Sequence, residues 1–258
     1  FCQDYPNIPI IATGSMVRIK LQRETHKRGS NETNKFLFPI GKINQLTIYP
    51  MSFDEFIENC NHMLYNTLKN AYENKQPLPT EIHELALDYV YKYLLIGGMP
   101  EAVAAFIESH NLQESREIIT ALYDNYLSDM ELYQASRESI LRSRALFQNI
   151  YNELNKESKN FSPGIIEKNS KTRDFISPLQ WLTMTNIVNQ SFQLNEHITT
   201  PLMVNNSSNF RLFLGDIGMF SYQSGINATS FISKNSGNTL SGIFFENYVA
   251  NELTAKGH

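Results

Sequence analysis

The sequence predicts a chain of mixed class: an α/β opening, a mostly helical middle, a helix–helix–helix–hairpin segment and the start of a second α/β part. Three observations carry this reading. Residues 8–13 (Ile-Pro-Ile-Ile-Ala-Thr) form an apolar run closed by Gly14-Ser15, as in a strand of a parallel sheet covered on both faces. From Ser52 to about Tyr133 the apolar residues recur at steps of three and four, the period of a helix with one buried face. Residues 136–205 then run through further helical patterns into two short strand-like stretches, the order of a winged helix. The expected divisions are 1–51, 52–135, 136–205 and 206–258.

The elements follow from local chemistry. Residues 20–35 are polar and basic and read as a loop, and residues 43–49 alternate as a strand stopped by Pro50. Ser52 with Glu55 three residues on is a capping box, opening a helix whose stripe is Phe53, Phe56, Ile57, Cys60, Met63, Leu64, Leu68, Ala71 and Tyr72. A second helix is expected from Thr80 to Leu95. Gly97-Gly98 breaks it, and Pro100 suits the first turn of the next helix, 101–109. Helices are expected over 113–133, 139–155 and 172–184, and strands over 186–194 and 202–204. Residues 210–220 read as a strand and tight turn, with Asp216 a turn residue beside Gly215 and Gly218. Ser241 is the expected cap of a last helix, 242–255.

Bulk properties narrow the function. A net charge of -4, from 22 basic and 26 acidic residues, excludes a general nucleic-acid coat protein. Two cysteines, Cys2 and Cys60, build neither a disulfide framework nor a metal cluster and fit a reducing, cytoplasmic compartment. Six dispersed histidines offer no zinc spacing, and no run of 18 apolar residues predicts a membrane span.

Six segments appear in an order that resembles a known family. They are Ile10-Ile-Ala-Thr-Gly-Ser15, Phe38-Pro-Ile-Gly-Lys42, Leu46-Thr-Ile-Tyr-Pro-Met-Ser-Phe-Asp-Glu-Phe56, Gly97-Gly-Met-Pro-Glu-Ala-Val103, Leu212-Phe-Leu-Gly-Asp-Ile-Gly-Met219 and Gly242-Ile-Phe-Phe-Glu-Asn-Tyr-Val-Ala-Asn-Glu-Leu253. Together the chain resembles the prokaryotic AAA+-type P-loop ATPases that carry a helical lid, a winged helix and a C-terminal restriction-endonuclease-like domain. The resemblance implies an α/β remnant of a P-loop ATPase sheet, a mostly α lid, a winged helix and the start of an α/β nuclease-like domain. With no Gly-x-x-x-x-Gly-Lys-Ser/Thr in the sequence, it also implies a fragment without the Walker A and Walker B part. ATP and Mg²⁺ would then be held by the intact parent and not by this piece.

The same resemblance places roles on residues. Thr13 and Ser15 would sense the γ-phosphate or hold the attacking water. Gly97, Gly98, Met99 and Pro100 would approach the adenine, with Arg18 and Lys42 facing phosphate. Lys168, Lys171 and Arg173 would meet DNA phosphates, with Gln180 towards a base edge. Glu246 matches the first acidic position of the nuclease-like part. The expected partners are ATP, double-stranded DNA or a protein client, and other copies of the chain in a homo-oligomer, with no membrane. Competing readings are a non-enzymatic DNA- or protein-binding scaffold and a magnesium-dependent nuclease.

Overall fold

The computed structural model describes residues 11, 13–14, 44, 46–134, 136–158, 160–194, 209–227 and 242–257. The chain divides into two compact units, Phe1–Ile48 and Tyr49–His258. In the first, Ile11, Thr13, Gly14 and Asn44 are exposed and in no helix or strand, as are residues 46–48. Most of the strand expected over 8–13, the loop over 20–35, and Ser15, Arg18, Lys42, Cys2 and Ser241 lie outside the described residues.

The second unit is mostly helical. Helix α1 (Phe53–Cys60) opens with the capping box the sequence spells: Ser52 Oγ accepts from the Glu55 amide while the Ser52 amide donates to Glu55 Oε2 at 2.8 Å. The long helix expected beyond it breaks at Asn61, which closes α1 and, by accepting from the Leu64 amide, opens α2 (His62–Glu73). A short amide side chain that competes with the ladder turns one stripe into two short helices. The expected stripe therefore ends early: Phe56, Ile57 and Leu64 are buried, whereas Met63 and Tyr72 are largely exposed.

Helix α3 (Thr80–Ile96) drives its last turn, Tyr93 to Ile96, into the core and stops at Gly97, whose φ of 77° favours glycine. Helix α4 (Pro100–Ser109) starts with proline at its first position and packs against the long α5 (Leu112–Tyr133). Arg116 on α5 donates to the Leu95 carbonyl, Ser221 Oγ and the Ile226 carbonyl, supplying positive charge where two helices end without a basic residue in their last turns. The segment expected as one helix over 139–155 is two, α6 (Arg137–Gln148) and α7 (Ile150–Asn155). A short turn of helix, α8 (Pro163–Ile166), a 3-10 turn (Thr172–Phe175) and α9 (Ile176–Met184) lead to strand β1 (Val188–Phe192). Strand β2 (Phe210–Leu214), α10 (Ile217–Gln223) and α11 (Gly242–Ala255) complete the described elements.

This architecture overturns the predicted fold class and the resemblance to an AAA+-type ATPase. A P-loop core is a parallel sheet wrapped by helices. Among the described residues the strands form one open, two-stranded antiparallel sheet in an otherwise helical unit. Residues 46–50 join no sheet, and Met51 is instead drawn to the turn after α3, where its amide donates to the Gly98 carbonyl at 2.7 Å. The winged-helix expectation fails because β1 pairs with β2, Val188 opposite Leu214 and Phe192 opposite Phe210, and β2 is packed between α7 and α11. A wing stands free of the core, but here Phe210, Leu212 and Leu214 are buried in it. For the same reason β2 and α11 are parts of this helical unit rather than the start of a nuclease-like domain.

Candidate functional site

Four of the six segments that suggested the family converge on one place. The polar group at its centre is Asp216, the N-cap of α10, almost fully buried. Its Oδ2 accepts from the Gly98 amide at 2.7 Å and its Oδ1 from the Met219 amide at 3.1 Å, and the Gly218 amide adds a third bond. Burial pushes the carboxyl from 3.8 up to about 6, and the three amides pull against that shift.

Close approach explains the glycines. A Cβ on Gly98 would lie 2.0 Å from the Met51 carbonyl oxygen, and one on Gly218 would lie 2.2 Å from the Ile96 carbonyl oxygen. On Gly97 it would strike the Asp216 carboxylate at 2.3 Å. At Gly98 and Gly218 main chain meets main chain, and at Gly97 main chain meets the Asp216 carboxylate, leaving no volume for a side chain.

The segment before α1 is held on its other side by α11. Tyr93 Oη donates to the Met51 carbonyl at 2.7 Å, and the Phe53 amide donates to Glu252 Oε1 at 2.8 Å. Burial raises Glu252 above the usual carboxylate range, while the Phe53 amide and Lys256 oppose the rise. Tyr93 is raised as well, first by burial and then by the charges of Asp216 and Glu252. Asn247, fully buried, accepts from the Leu214 amide and donates to its carbonyl, taking the place of a neighbouring strand, and Asn251 adds a second donor to that carbonyl. Between these groups lies a small cleft lined by Tyr49, Ser52, Asn186, Asn189, Asp216 and Glu252, with room for about one water molecule.

The residues expected to carry chemistry are scattered over this frame. Gly97 and Gly98 are buried in the clamp, Met99 is half-buried, and Pro100 is exposed at the start of α4. Their backbone is turned to Asp216 and Met51 instead of an open nucleotide cleft. Thr13 is exposed and outside any helix or strand. Lys168, Lys171, Arg173 and Gln180 are exposed. Acidic groups interleave with the three basic ones: Glu167 binds Arg142 at 2.8 Å, Asp174 accepts from the Lys171 amide, and Arg173 lies 3.7 Å from Asp174. Glu246 pairs with Arg211 at 3.5 Å.

No group of three or more His, Cys, Asp and Glu side chains able to hold a metal occurs among the described residues. Nor is there a P-loop core among the described residues, so the ATPase and nuclease reading, with its AAA+ nucleotide-binding architecture, is overturned. The four segments are adjacent because they pack on each other. Their glycines and Asp216 serve backbone contact, which in sequence looks the same as a phosphate-binding turn. No helix among the described residues is long and apolar enough to cross a membrane.

What sequence reasoning missed is the role of Asn247, Asn251 and Glu252. The available signal was Asn247 and Asn251, four apart on the same side of the helix as the apolar Ile243 and Phe244. A second missed feature is the outward side of that helix. Phe245, Val249 and Leu253, spaced four apart, are 40%, 48% and 47% exposed, while Ile243 and Phe244 are buried on the opposite side.

Residues 87–230 match a family described as a domain of unknown function, DUF8612. The matched span is more than half of the chain and contains Gly97, Gly98, Asp216 and Gly218. Neither the curated proteins nor the solved structures contain a match. The chain belongs to the DUF8612 family.

Proposed function

We propose that this DUF8612 member is a protein-docking domain, a clamped helical platform whose task is to present side chains to a partner. The observation that carries the reading is how the candidate site uses its polar groups. Asp216 is occupied by three amides, Glu252 by the Phe53 amide, Tyr93 by the Met51 carbonyl, and Asn247 and Asn251 by Leu214. Each is tied to main chain, so the cluster fixes where helices sit. The outside, by contrast, keeps large apolar side chains exposed, among them Met63, Leu141 and the α11 set. A contiguous exposed apolar patch rimmed by polar residues is a feature of surfaces that bind other proteins.

The test is photo-cross-linking in the cell that makes the protein, with benzoylphenylalanine placed at Met63, Leu141 or Val249 and, as polar controls, at Glu117 or Asp124. The expected outcome is one discrete adduct at an apolar position, absent from the controls. Its partner is then identified by mass spectrometry and re-bound by the purified chain. No discrete adduct at any apolar position overturns the docking reading.

A further inference from the structure

We propose that two copies of the chain pair through the free edge of β1, antiparallel about a two-fold axis at Phe192, joining their small sheets into one. The β1 edge is distinct from α11, Met63 and Leu141, so this pairing and the docking role above hold or fail separately.

The register fixes which way each main-chain group points. The Gly215 amide donates to the Ile187 carbonyl and the Gln193 amide to the Asn209 carbonyl, so Ile187, Asn189, Ser191 and Gln193 face β2. The N–H and C=O of Gln190, Phe192 and Leu194 therefore point to the opposite edge. On β2 the outer edge is sealed: Asn247 takes both main-chain groups of Leu214, and the Phe161 amide donates to the Phe210 carbonyl at 2.8 Å. On β1 the main chain of Gln190, Phe192 and Leu194 has no hydrogen-bond partner among the described residues. This stretch is also open to solvent. Ser191 and Gln193 are exposed, and Phe192 and Leu194 are 40% and 38% exposed. Sheet edges are commonly protected by charges, by proline or by a covering element. Residues 187–194 contain no charged residue and no proline.

A second copy is the occupant this edge specifies. With Phe192 on the axis, the outward groups of Gln190, Phe192 and Leu194 meet those of Leu194, Phe192 and Gln190, and each pair exchanges two main-chain bonds. Phe192 then covers its own counterpart, and Ser191 lies across from Gln193, polar against polar. The segment carries no charge, so like does not repel like. Centring on Phe192 also leaves out Val188, which is buried. Because the β2 edge is already sealed, each copy uses up its free edge and association stops at two. An unrelated extended segment would meet the same main-chain groups without the Phe192–Phe192 and Ser191–Gln193 matches.

The test is sedimentation of the whole chain from about 1 to 500 μM, where a reversible monomer–dimer equilibrium is expected. Phe192→Lys and Phe192→Glu should each weaken the dimer at least about tenfold with circular dichroism unchanged, and an equimolar mixture of the two should restore it. Gln190→Pro removes an amide that faces the free edge and none that faces β2, and should weaken the dimer about tenfold as well. For the register, Ser191→Cys and Gln193→Cys are each made together with Cys2→Ser and Cys60→Ser. Directly opposed Cα atoms about 4.5 Å apart allow a disulfide. With oxidised glutathione it should form in the mixture of the two variants and in neither alone.

A monomer at every concentration overturns the pairing. So does a dimer that neither Phe192→Lys nor Gln190→Pro weakens, because its interface lies elsewhere. A disulfide in Ser191→Cys alone moves the axis to Ser191 and overturns the pairing about Phe192. Benzoylphenylalanine at Gln193 that cross-links a different protein in the cell, and never the chain to itself, makes the occupant a partner's extended segment and overturns the second copy.

Discussion

Both sides of α11 carry large apolar side chains, and the two sides behave in opposite ways. On the inner side, Asn247 and Asn251 bond Leu214 and Glu252 bonds Phe53, so β2 and the entrance to α1 are fixed in direction as well as depth. On the outer side Phe245, Val249 and Leu253 meet no such polar restraint and stay about half exposed. Apolar contact alone is non-directional. Polar groups, costly to bury unless paired, decide which contact geometry is unique. The inner side is thus a fixed interface, and the outer side is exposed apolar surface without that directional restraint.

The largest effect that would break this contrast lies where the inner clamp crosses itself. In Gly98→Ala the new methyl meets the Met51 carbonyl oxygen at 2.0 Å, with the Met51 amide nitrogen 2.8 Å away. Neither atom belongs to a side chain that can swing aside, so the turn must open and the Asp216–Gly98 bond must lengthen. A loss of about 3 kcal/mol or more in urea unfolding is expected. Gly164→Ala is the control: nothing lies within 4 Å of its added methyl, so a change of roughly 0.5 kcal/mol or less is expected. Equal effects in the two variants would mean that the Gly98 crossing is looser than its geometry indicates.

Much of this clamp was legible in sequence, though its meaning was not. The Ser52–Glu55 box, the Gly97 stop and the Pro100 start are set by residues a few positions apart, where capping chemistry and φ preferences decide the outcome, and the structure holds all three. The Asn61 break was hidden because Met63, Leu64, Leu68 and Tyr72 keep a helical period straight through it. The partner of β1 was misread because strand pairing is a tertiary choice: Phe210–Leu214 carries a buried face that α7 and α11 cover, a fact absent from the strand's own residues. Asp216 reads as a turn residue locally, and nothing near it announces a bond to Gly98, 118 positions earlier. Glycine pairs and a capping aspartate serve close backbone crossings and phosphate loops alike, which is why the resemblance pointed to a nucleotide.

A smaller effect sharpens the inner side through its charge. Asp216 is raised from 3.8 to about 6 in the folded chain. As pH rises, the unfolded chain releases this proton first, near pH 4, and the folded chain only near pH 6. Between those values the folded state binds more protons, so the contribution of this group to stability falls with rising pH and is level above about 6. A shift of about two units corresponds to about 3 kcal/mol across that window. Asp216→Asn lacks the titration, so the difference in unfolding free energy between it and the parent chain should change by that amount from pH 4 to pH 7. Taking the difference cancels the parallel titration of Glu252, which burial also raises. A flat difference would mean that the amides of Gly98, Gly218 and Met219 stabilise the carboxylate as much as burial opposes it.

The smallest effects come from matched changes on the two sides of α11. Asn247→Ala removes one acceptor and one donor from Leu214, leaving a buried amide and weakening the restraint on its carbonyl, for an expected loss of about 2 kcal/mol. Val249→Ala trims a half-exposed side chain and should cost about 0.5 kcal/mol or less. Paired urea melts on the two variants measure the difference directly. If Val249→Ala costs as much as Asn247→Ala, the outer face is already covered in solution, and a concentration series separates the sources: a loss that vanishes on dilution belongs to a bound copy, and one that persists belongs to the chain itself.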